Sequence, residues 1–364
     1  VDGTPSKDFA YGGTLSWSPL DSVRLRASYQ HSVRAPNFGE LFSGGGSFPQ
    51  IFDPCSATTD FRTSGGAAAR ALCVATGVGN STADSFAATP GGQAFITVTG
   101  NPDLKPESSD TFTVGGVFTA GGFTGSIDYY NIKIKDTIFS PDVNEIIASC
   151  YGYNDINSGL STTSPYCAGI ARSGNNITGI YLPASLGGDP ATGYFQAINQ
   201  GSVKTSGIDV QLGYRLPTEF VSESSAISFN LAVNYLIDFK NVGLGGLKTD
   251  YAGTASYFGA GLGTSFPRWK GNLNVNWKLD DNLSFDTRMR YIHKMVNRAE
   301  RQFPGETFTG PGTAVYFDFG LEANVEQFTF RLGLNNAFDK QPQTYAPNVQ
   351  SGTDPSLYDV LGRR

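Results

Sequence analysis

Long runs in which apolar and polar residues strictly alternate recur along this chain of 364 residues. In one of them, Val315, Phe317, Phe319 and Leu321 alternate with polar or small residues over 315–325. Such a period of two places all the apolar side chains of a strand on one face of a β-sheet. About ten runs of roughly 11–15 residues follow this pattern, whereas strands of soluble sheets usually have about five or six residues. A tilted strand of about ten residues is long enough to cross a bilayer.

The two faces of these runs also differ in charge. In the middle of the runs the apolar face carries no Asp, Glu, Lys or Arg, whereas the polar face holds residues such as Arg26, Asp209, Asp286 and Arg331. Lys or Arg on the lipid-facing side near the bilayer midplane costs about 2–4 kcal/mol. A shift of one residue would turn several charges toward lipid. The pattern therefore predicts an all-β, antiparallel transmembrane β-barrel with a lipid-facing outside and a charged, water-filled inside.

The connections between the runs alternate in length. Short turns occur at 19–22, 120–122, 280–281 and 326–327, and long loops span roughly 34–107, 138–200, 239–265, 298–313 and 339–357. Short turns at one rim and long extracellular loops at the other are typical of outer-membrane barrels. A soluble secreted β-sandwich or adhesin would also show alternating strands. Loops of roughly 60–70 residues are uncommon in a compact domain, so the sandwich is the weaker alternative.

Composition excludes several other classes of protein. Charged residues make up 16% of the chain and aromatic residues 13%, whereas disordered chains have many charges and few aromatics. No apolar run approaches the about 18 residues of a transmembrane helix. The formal net charge is −6 and the Lys and Arg residues are scattered. We therefore expect no nucleic-acid partner, because such a partner requires a basic stripe.

Several segments resemble motifs of one family. Residues 33–42 (VRAPNFGELF) follow a strand and residues 101–109 (NPDLKPESS) precede one. Together they resemble the "RAP…ELF" and "NP-LKPE" pair in the barrels of TonB-dependent outer-membrane receptors. Residues 199–209 and 333–339 resemble strand segments of that family, and 357–364 resembles its approach to the final strand. The resemblance extends over essentially the whole chain.

This resemblance implies a barrel of 22 strands whose lumen is closed by an N-terminal plug. It also implies a short box through which an energy-transducing, TonB-type protein of the inner membrane acts. Residues 1–364 are expected to be the C-terminal portion of such a barrel, with about 10–11 of its strands and no plug domain. Because Val1 begins no signal peptide and the last strand is missing, we expect a fragment of a longer protein.

The function that the resemblance implies is active transport across the outer membrane of a Gram-negative bacterium. The cargo would be a scarce nutrient, with a ferric siderophore or similar chelate preferred and an oligosaccharide possible. The expected partners are outer-membrane lipid, the small-molecule nutrient and the TonB-type protein. A passive porin shares the alternating strands but needs no plug, and it stays open as an alternative.

The four cysteines lie in two of the long loops. Cys55 and Cys73 belong to the first loop, and Cys150 and Cys167 to the next. Four cysteines allow three connectivities, of which pairing within each loop is the simplest; four unpaired thiols are the alternative. Extracellular loops lie in an oxidising compartment where disulfides persist. Each local bond would close a loop of about 17–18 residues, worth roughly 3 kcal/mol in the chain-entropy model.

Candidate ligand-binding residues are of two kinds: arginines of the polar face, which can hold anionic groups bidentately, and loop aromatics, which can stack on a sugar or a planar chelator. The arginines could instead pair with acidic residues across the wall or with a plug, and the aromatics could pack a large loop on itself. The candidates are Arg24, Arg26, Arg288, Arg290, Arg331, Phe48, Phe52, Tyr151, Tyr153, Tyr166, Tyr257 and Phe258. The acidic residues that could pair with the arginines are Asp128, Asp286, Asp318 and Glu322.

We expect no enzymatic activity, cofactor or metal site. Only His31 and His293 could supply an imidazole base, and the alternation places both on the lipid-side register near the strand tops. Nucleophilic catalysis by a triad needs its three groups in contact. The cysteines have no histidine partners for a zinc site. The loops carry few Lys or Arg, which disfavours a highly anionic cargo.

Overall fold

Ten long strands form one antiparallel sheet, and with a short eleventh strand they make up the transmembrane wall. The computed structural model describes residues 9–44, 46–50, 53–86, 94–139, 143–153, 156–186, 188, 195–199, 201–243, 246, 248–255, 265–297, 310–343, 353–354 and 357–364. The long strands are β1 (Tyr11–Leu20), β2 (Val23–Arg34), β5 (Glu107–Ala120), β6 (Phe123–Lys135), β12 (Ser202–Pro217), β13 (Ala226–Val242), β17 (Trp269–Lys278), β18 (Leu283–Ile292), β20 (Ala314–Val325) and β21 (Phe328–Leu334).

The remaining elements lie in the connections between the long strands. The short strands are β3 (Gly46–Gln50), β4 (Ala94–Thr99), β7 (Ile138–Phe139), β8 (Ile170–Ser173), β9 (Asn176–Ile180), β10 (Phe195–Gln196), β11 (Ile198–Asn199), β14 (Lys248–Asp250), β15 (Thr254–Ala255), β16 (Ser265–Phe266) and β19 (Val296–Asn297). The helices are α1 (Phe38–Phe42), α2 (Asp60–Ser64), α3 (Gly66–Ala75) and α4 (Val143–Cys150), with 3-10 turns at Pro165–Gly169 and Ala184–Leu186. In the described part of the chain, no helix has the length and hydropathy to cross a membrane.

Each long strand pairs with the next long strand in the sequence, and β14 adds to β13. Short turns join β1 to β2, β5 to β6, β17 to β18 and β20 to β21 at one rim, and the long loops connect strands at the other. This is the predicted alternation of connections, so the fold class is confirmed: a wall of an antiparallel transmembrane β-barrel. Just beyond the end of β21, Arg364 exchanges two backbone hydrogen bonds with Asn335, at 2.6 and 3.2 Å.

The strand register confirms that charged and apolar side chains separate onto opposite faces. Arg288 of β18 stands opposite Asp318 of β20, and the neighbouring row pairs Met289 with Phe317. Because adjacent residues of a strand point to opposite faces, the charges share one face and the apolar side chains share the other. In an outer-membrane barrel the apolar face contacts lipid and the charged face lines the lumen.

One β-bulge interrupts the alternation near the loop rim. Ser206 of β12 pairs with Asp238 of β13, but Gly207 pairs with Leu236, so Ile237 is an extra residue on β13. A bulge inserts one residue into a strand and changes the parity of the positions beyond it. Below the bulge, odd-numbered residues of β13 such as Tyr235 face outward. Above it, the even-numbered residues do so.

Candidate ligand-binding surface

Two sequence motifs meet at the loop rim through Arg34. Its guanidinium contacts Glu107 at 2.5 Å and Glu40 at 3.0 Å. Helix α1 begins with a capping box, because Asn37 accepts a bond from the Glu40 N–H at 2.9 Å and the Glu40 carboxylate accepts from the Asn37 N–H at 2.7 Å. Burial alone would raise the pKa of Glu40, but the bonds from Arg34 and Asn37 hold that pKa below its ordinary value. These contacts therefore hold the end of β2, helix α1 and the start of β5 together at the loop rim.

A second rim contact joins the two largest loops. The Asn199 side chain accepts from the Lys105 N–H at 2.6 Å and donates to the carbonyls of Lys105 and Asp136 at 2.8 and 2.9 Å. Nearby, the Asn101 amide donates to the Ala197 carbonyl at 2.8 Å. The loops over 35–106 and 136–201 are thus tied together where they leave the wall.

Beyond the rim these two loops share one hydrophobic core, and we call residues 53–86 and 146–182 the loop module. Cys55 pairs with Cys73 and Cys150 pairs with Cys167, which are the local pairings expected from the sequence. The module contains α2, α3, part of α4 and the β8–β9 hairpin. Buried apolar residues from both loops form its core: Leu72, Val78, Ile146, Ile147, Tyr151, Ile180 and Leu182. Neither loop buries this surface alone, so the two fold as one unit.

A buried ion pair also crosses between the two loops. Arg172 binds Asp53 through two bonds of 2.6 and 2.7 Å, and the two side chains are 1% and 9% exposed. The same guanidinium donates to the Asn175 carbonyl at 2.6 Å and to the Tyr151 hydroxyl at 3.0 Å. Burial alone would lower the pKa of Arg172, but the bond to Asp53 raises it, so the charged form is held.

The predicted aromatic candidates take packing positions where the structure describes them. Tyr151 is 1% exposed and Tyr166 is 4% exposed, so neither ring has a face available to a ligand. Tyr153 is partly buried against the same core, and its ring centre lies 5.8 Å from that of Phe61. These three tyrosines follow the alternative interpretation, in which a large loop packs on itself. Phe52, Tyr257, Phe258 and the side chain of Phe48 lie outside the described residues.

Three of the five candidate arginines on the lumen face are held by carboxylates. Arg290 binds Asp318 through two bonds of 3.0 Å and lies over the ring of Tyr316, 4.8 Å from its centre. Arg331 pairs with Glu322 at 2.7 Å. Asp318 and Glu322 are among the acidic residues that the sequence analysis gives as possible partners of the arginines. Because they neutralise Arg290 and Arg331, these two guanidinium groups carry little free charge for a ligand.

Arg26 reaches its partner across an intervening strand. It donates to Asp128 at 2.7 Å, and the β-carbon of any side chain at Gly115, on the strand between them, would lie 2.1 Å from that carboxylate. The ion pair therefore depends on a glycine at position 115. This requirement is not visible in the sequence pattern.

Arg288 is different, since no carboxylate lies within 4.0 Å of it among the residues that the structure describes. Asp318 stands opposite Arg288 in register but is bound diagonally by Arg290. Arg24, near the short-turn rim, also has no ion pair in the described chain. Arg288 lies mid-strand and exposed on the lumen face.

Asparagine side chains lie on one side of Arg288, on β17 and β13, and Asp318 stands on its other side. These asparagines are not among the candidates named from the sequence. Asn274 stands directly opposite Arg288, and Asn230 stands opposite Asn274. Asn272 and Asn276 lie on the same face of β17, and Asn276 donates to Asp286 at 2.8 Å. Amides donate and accept hydrogen bonds without net charge. Their run of alternate positions over 272–276 was the available signal.

The loop module adds little free positive charge to this surface. Arg62 and Arg70 both bind Asp84, at 3.0 and 2.9 Å. The bond from Arg70 is the main cause of a pKa of Asp84 below its ordinary value, and Arg62 adds to it. Among the described ranges, no cluster of His, Cys, Asp or Glu could hold a metal ion. The surface suits a ligand with hydrogen-bonding oxygens and modest charge.

Comparison with protein families decides the classification. Residues 2–337 match the β-barrel of TonB-dependent receptor-like proteins. The chain belongs to the TonB-dependent receptor family. The comparison with curated protein sequences gave no match. Members of this family are transporters and receptors. The family assignment agrees with the resemblance seen in residues 33–42 and 101–109.

Solved structures of low sequence identity share the fold. The siderophore receptor PirA of Acinetobacter baumannii is 14% identical, with a TM-score of 0.54 over 98% of this chain and 40% of its own. A ferric enterobactin receptor (PfeA) variant of Pseudomonas aeruginosa, in complex with enterobactin, is 17% identical with a TM-score of 0.54, covering 98% and 39%. The FrpB iron transporter of Neisseria meningitidis is 13% identical with a TM-score of 0.50, covering 97% and 37%. The chain thus spans about two fifths of these proteins.

Proposed function

We propose that residues 1–364 form the C-terminal part of the barrel of an active-transport receptor in the outer membrane of a Gram-negative bacterium. The observation that carries this proposal is the match of residues 2–337 to the barrel of TonB-dependent receptors. A TonB-type protein supplies the energy through a plug and its box. The cargo is a scarce nutrient, with a ferric siderophore or similar chelate first and an oligosaccharide second.

The lumen face supports a cargo of low net charge. Paired carboxylates hold Arg26, Arg290 and Arg331, whereas Arg288 has no carboxylate partner in the described chain. A ligand oxygen anion would bind Arg288, and carbonyl or hydroxyl oxygens would bind the amides beside it, such as Asn274. The unpaired guanidinium of Arg288 beside these amides favours a weakly anionic or neutral chelate over a highly anionic one.

Uptake by cells that produce the full-length receptor tests the transport function. A panel of radiolabelled ferric siderophores that differ in net charge, ferric enterobactin among them, would be supplied together with a labelled oligosaccharide. We expect uptake of at least one compound to stop when a protonophore removes the proton-motive force. Uptake that continues unchanged without this force would favour the passive porin and contradict active transport.

Substitution of single arginines tests the binding surface. We expect Arg288→Gln to weaken binding of the transported compound by roughly tenfold or more, because a hydrogen bond to a charged group contributes about 1.5–3 kcal/mol. Arg331→Gln is the matched control on the same face, since Glu322 already holds Arg331. It should change the affinity by less than about twofold. Equal losses in the two variants would contradict a specific role for Arg288.

A further inference from the structure

The outward face of the wall carries three lysines in one cross-strand row near the loop rim. Lys133 of β6 stands directly opposite Lys204 of β12, and Lys204 stands opposite Lys240 of β13. Lys133 shares its face with Tyr129, and Lys204 shares its face with Ile208, so the row faces away from the lumen. Like charges directly opposite each other destabilise a sheet. The row ends in aspartates, because Asp110 stands opposite Lys133 and Asp250 stands opposite Lys240. Three lysines between two aspartates leave one excess positive charge, which an anion can neutralise.

Acidic residues on this face neutralise only part of the charge. Asp238 contacts Lys240 at 2.6 Å and Lys204 at 3.9 Å. Asp110 is held by Lys135 and His31, each at 2.8 Å. Five lysines of this face outnumber four nearby aspartates, and among the described residues Lys133 has no carboxylate within 4.0 Å. The lysines are Lys133, Lys135, Lys204, Lys240 and Lys248, and the aspartates are Asp110, Asp136, Asp238 and Asp250.

The height of the row on the wall places it among lipid headgroups. Tyr129 and Tyr235 stand opposite Ile208 on its two sides, and Trp269 stands opposite Tyr235, so the three aromatic residues lie in one outward cross-strand row. The ring centres of Tyr235 and Trp269 are 4.4 Å apart. Such aromatic rows mark the membrane–water interface of barrels. Lys133 lies four residues beyond Tyr129, which is about 13 Å along a strand. With a strand tilt of about 40°, the lysines stand roughly 10 Å above the aromatic row.

An apolar groove of about 400 Å³ opens on the same face below the lysines. Leu231, Val233, Leu273 and Met289 line it together with Gly271. Position 271 has no side chain to fill the groove, and a β-carbon there would lie 3.2 Å from a Val233 methyl group. On a lipid-facing surface, an apolar groove takes a hydrocarbon chain in preference to water.

We propose that this outer wall binds a phosphorylated, acylated lipid of the outer leaflet. The phosphates bind Lys133, Lys204 and Lys240, and an acyl chain lies in the groove around Gly271. Headgroup and groove have the vertical order of such a lipid, charge above and hydrocarbon below. This site is on the opposite face from the lumen surface of the proposed uptake function, and it requires only that the strands span the membrane.

Lipid binding to the purified full-length receptor tests the proposal. Bis-phosphorylated lipid A would be titrated into the receptor in a neutral detergent, and the bound lipid counted by native mass spectrometry. We expect K133Q/K204Q/K240Q to weaken binding by about 100-fold, since each lysine near an anionic headgroup contributes roughly fivefold. The matched control is K270Q/K278Q, which removes two lysines from the lumen register of β17 and should change binding less than about twofold.

Comparison of probes on the unsubstituted receptor keeps the proposal testable if the triple variant folds poorly. Dephosphorylated lipid A should bind far more weakly than the bis-phosphorylated form, because it lacks the groups that the lysines hold. The deacylated phosphorylated headgroup should bind more weakly than the whole lipid, because it leaves the groove empty. Inorganic phosphate at millimolar concentration should not displace the lipid. Equal binding of the phosphorylated and dephosphorylated lipids, displacement by phosphate, or unchanged binding by the triple variant would overturn the proposal. None of these measurements involves the nutrient or the proton-motive force, so an uptake failure would not affect them.

Discussion

Substitution of Asp53 by Asn should open the loop module without disturbing the barrel strands. The Arg172 side chain is 1% exposed, and its two bonds to Asp53 join the two halves of the module. Removing one partner of a buried ion pair costs about 3–5 kcal/mol, because the remaining charge stays buried and unpaired. The carbonyl of Asn175 and the hydroxyl of Tyr151 would still accept from Arg172, so we expect about 3 kcal/mol, the lower end of this range.

Hydrogen exchange measured by mass spectrometry reports this opening. Peptides that cover α3 and α4 should lose roughly 100-fold in protection, since every 1.4 kcal/mol is a factor of ten. Peptides from β12 and β13 should not change. Adding Arg172→Met to Asp53→Asn should restore much of the protection, because replacing both members of a buried pair by groups of similar volume is often neutral.

The ion pair of Asp84 provides the matched control in the same module. Its side chain is 69% exposed although it binds Arg62 and Arg70. Exposed ion pairs contribute about 0–1 kcal/mol, so Asp84→Asn should leave exchange of α3 nearly unchanged. Equal loss of protection in Asp53→Asn and Asp84→Asn, or no loss in either, would refute the argument from burial.

Three further predictions concern the disulfides, the wall and the rim. Reduction of both disulfides should destabilise the loop module by roughly 3 kcal/mol for each bond and leave the strands folded, as measured by exchange of the module and the strands separately. Gly115→Ala should destabilise the barrel by about 1–3 kcal/mol, because the new β-carbon would collide with the Asp128 carboxylate. A heat-modifiability gel assay should show this as a lower unfolding temperature. Gly333→Ala, with nothing within 4 Å on the same face, should have little effect, and equal effects of the two variants would contradict the explanation. The folded-state pKa of Glu40 is lowered, so its stabilisation of helix α1 is complete above the unfolded pKa of about 4.3 and is lost as the pH falls through the folded value. Amide exchange of 37–42 corrected for intrinsic rates should therefore accelerate only in acid, and acceleration between pH 8 and pH 6 would disagree with this sign.

Much of the wall could be predicted because each strand position obeys a local rule. A side chain at one position faces lipid and the next faces water, so the hydropathy of neighbours such as Phe317 and Asp318 is sufficient to assign both faces. The lengths of the connections then separate the loop rim from the turn rim. The two disulfides could also be predicted, since pairing nearby cysteines within one loop requires no information about the rest of the fold.

Less of the candidate site could be predicted from the sequence, because the site depends on which residues meet across strands and loops. The sequence offered Tyr151 and Tyr166 as binding rings, but packing between two loops buries both. It offered five arginines without distinguishing them, whereas the diagonal bond from Arg290 to Asp318 is what separates Arg288 from the others. No single-strand pattern contains that information, because the partner lies on another strand.

By itself the sequence determined that this chain builds a membrane wall, since the period of two and the distribution of charge are properties of each strand alone. Only the tertiary structure decided the alignment of Lys240 with Lys204 and Lys133. By simple alternation, the even-numbered Lys240 would share the lumen face with Asn234, but the bulge at Ile237 turns it outward. A bulge forms between two paired strands, so its effect on facing is settled by pairing and not by the residues of either strand.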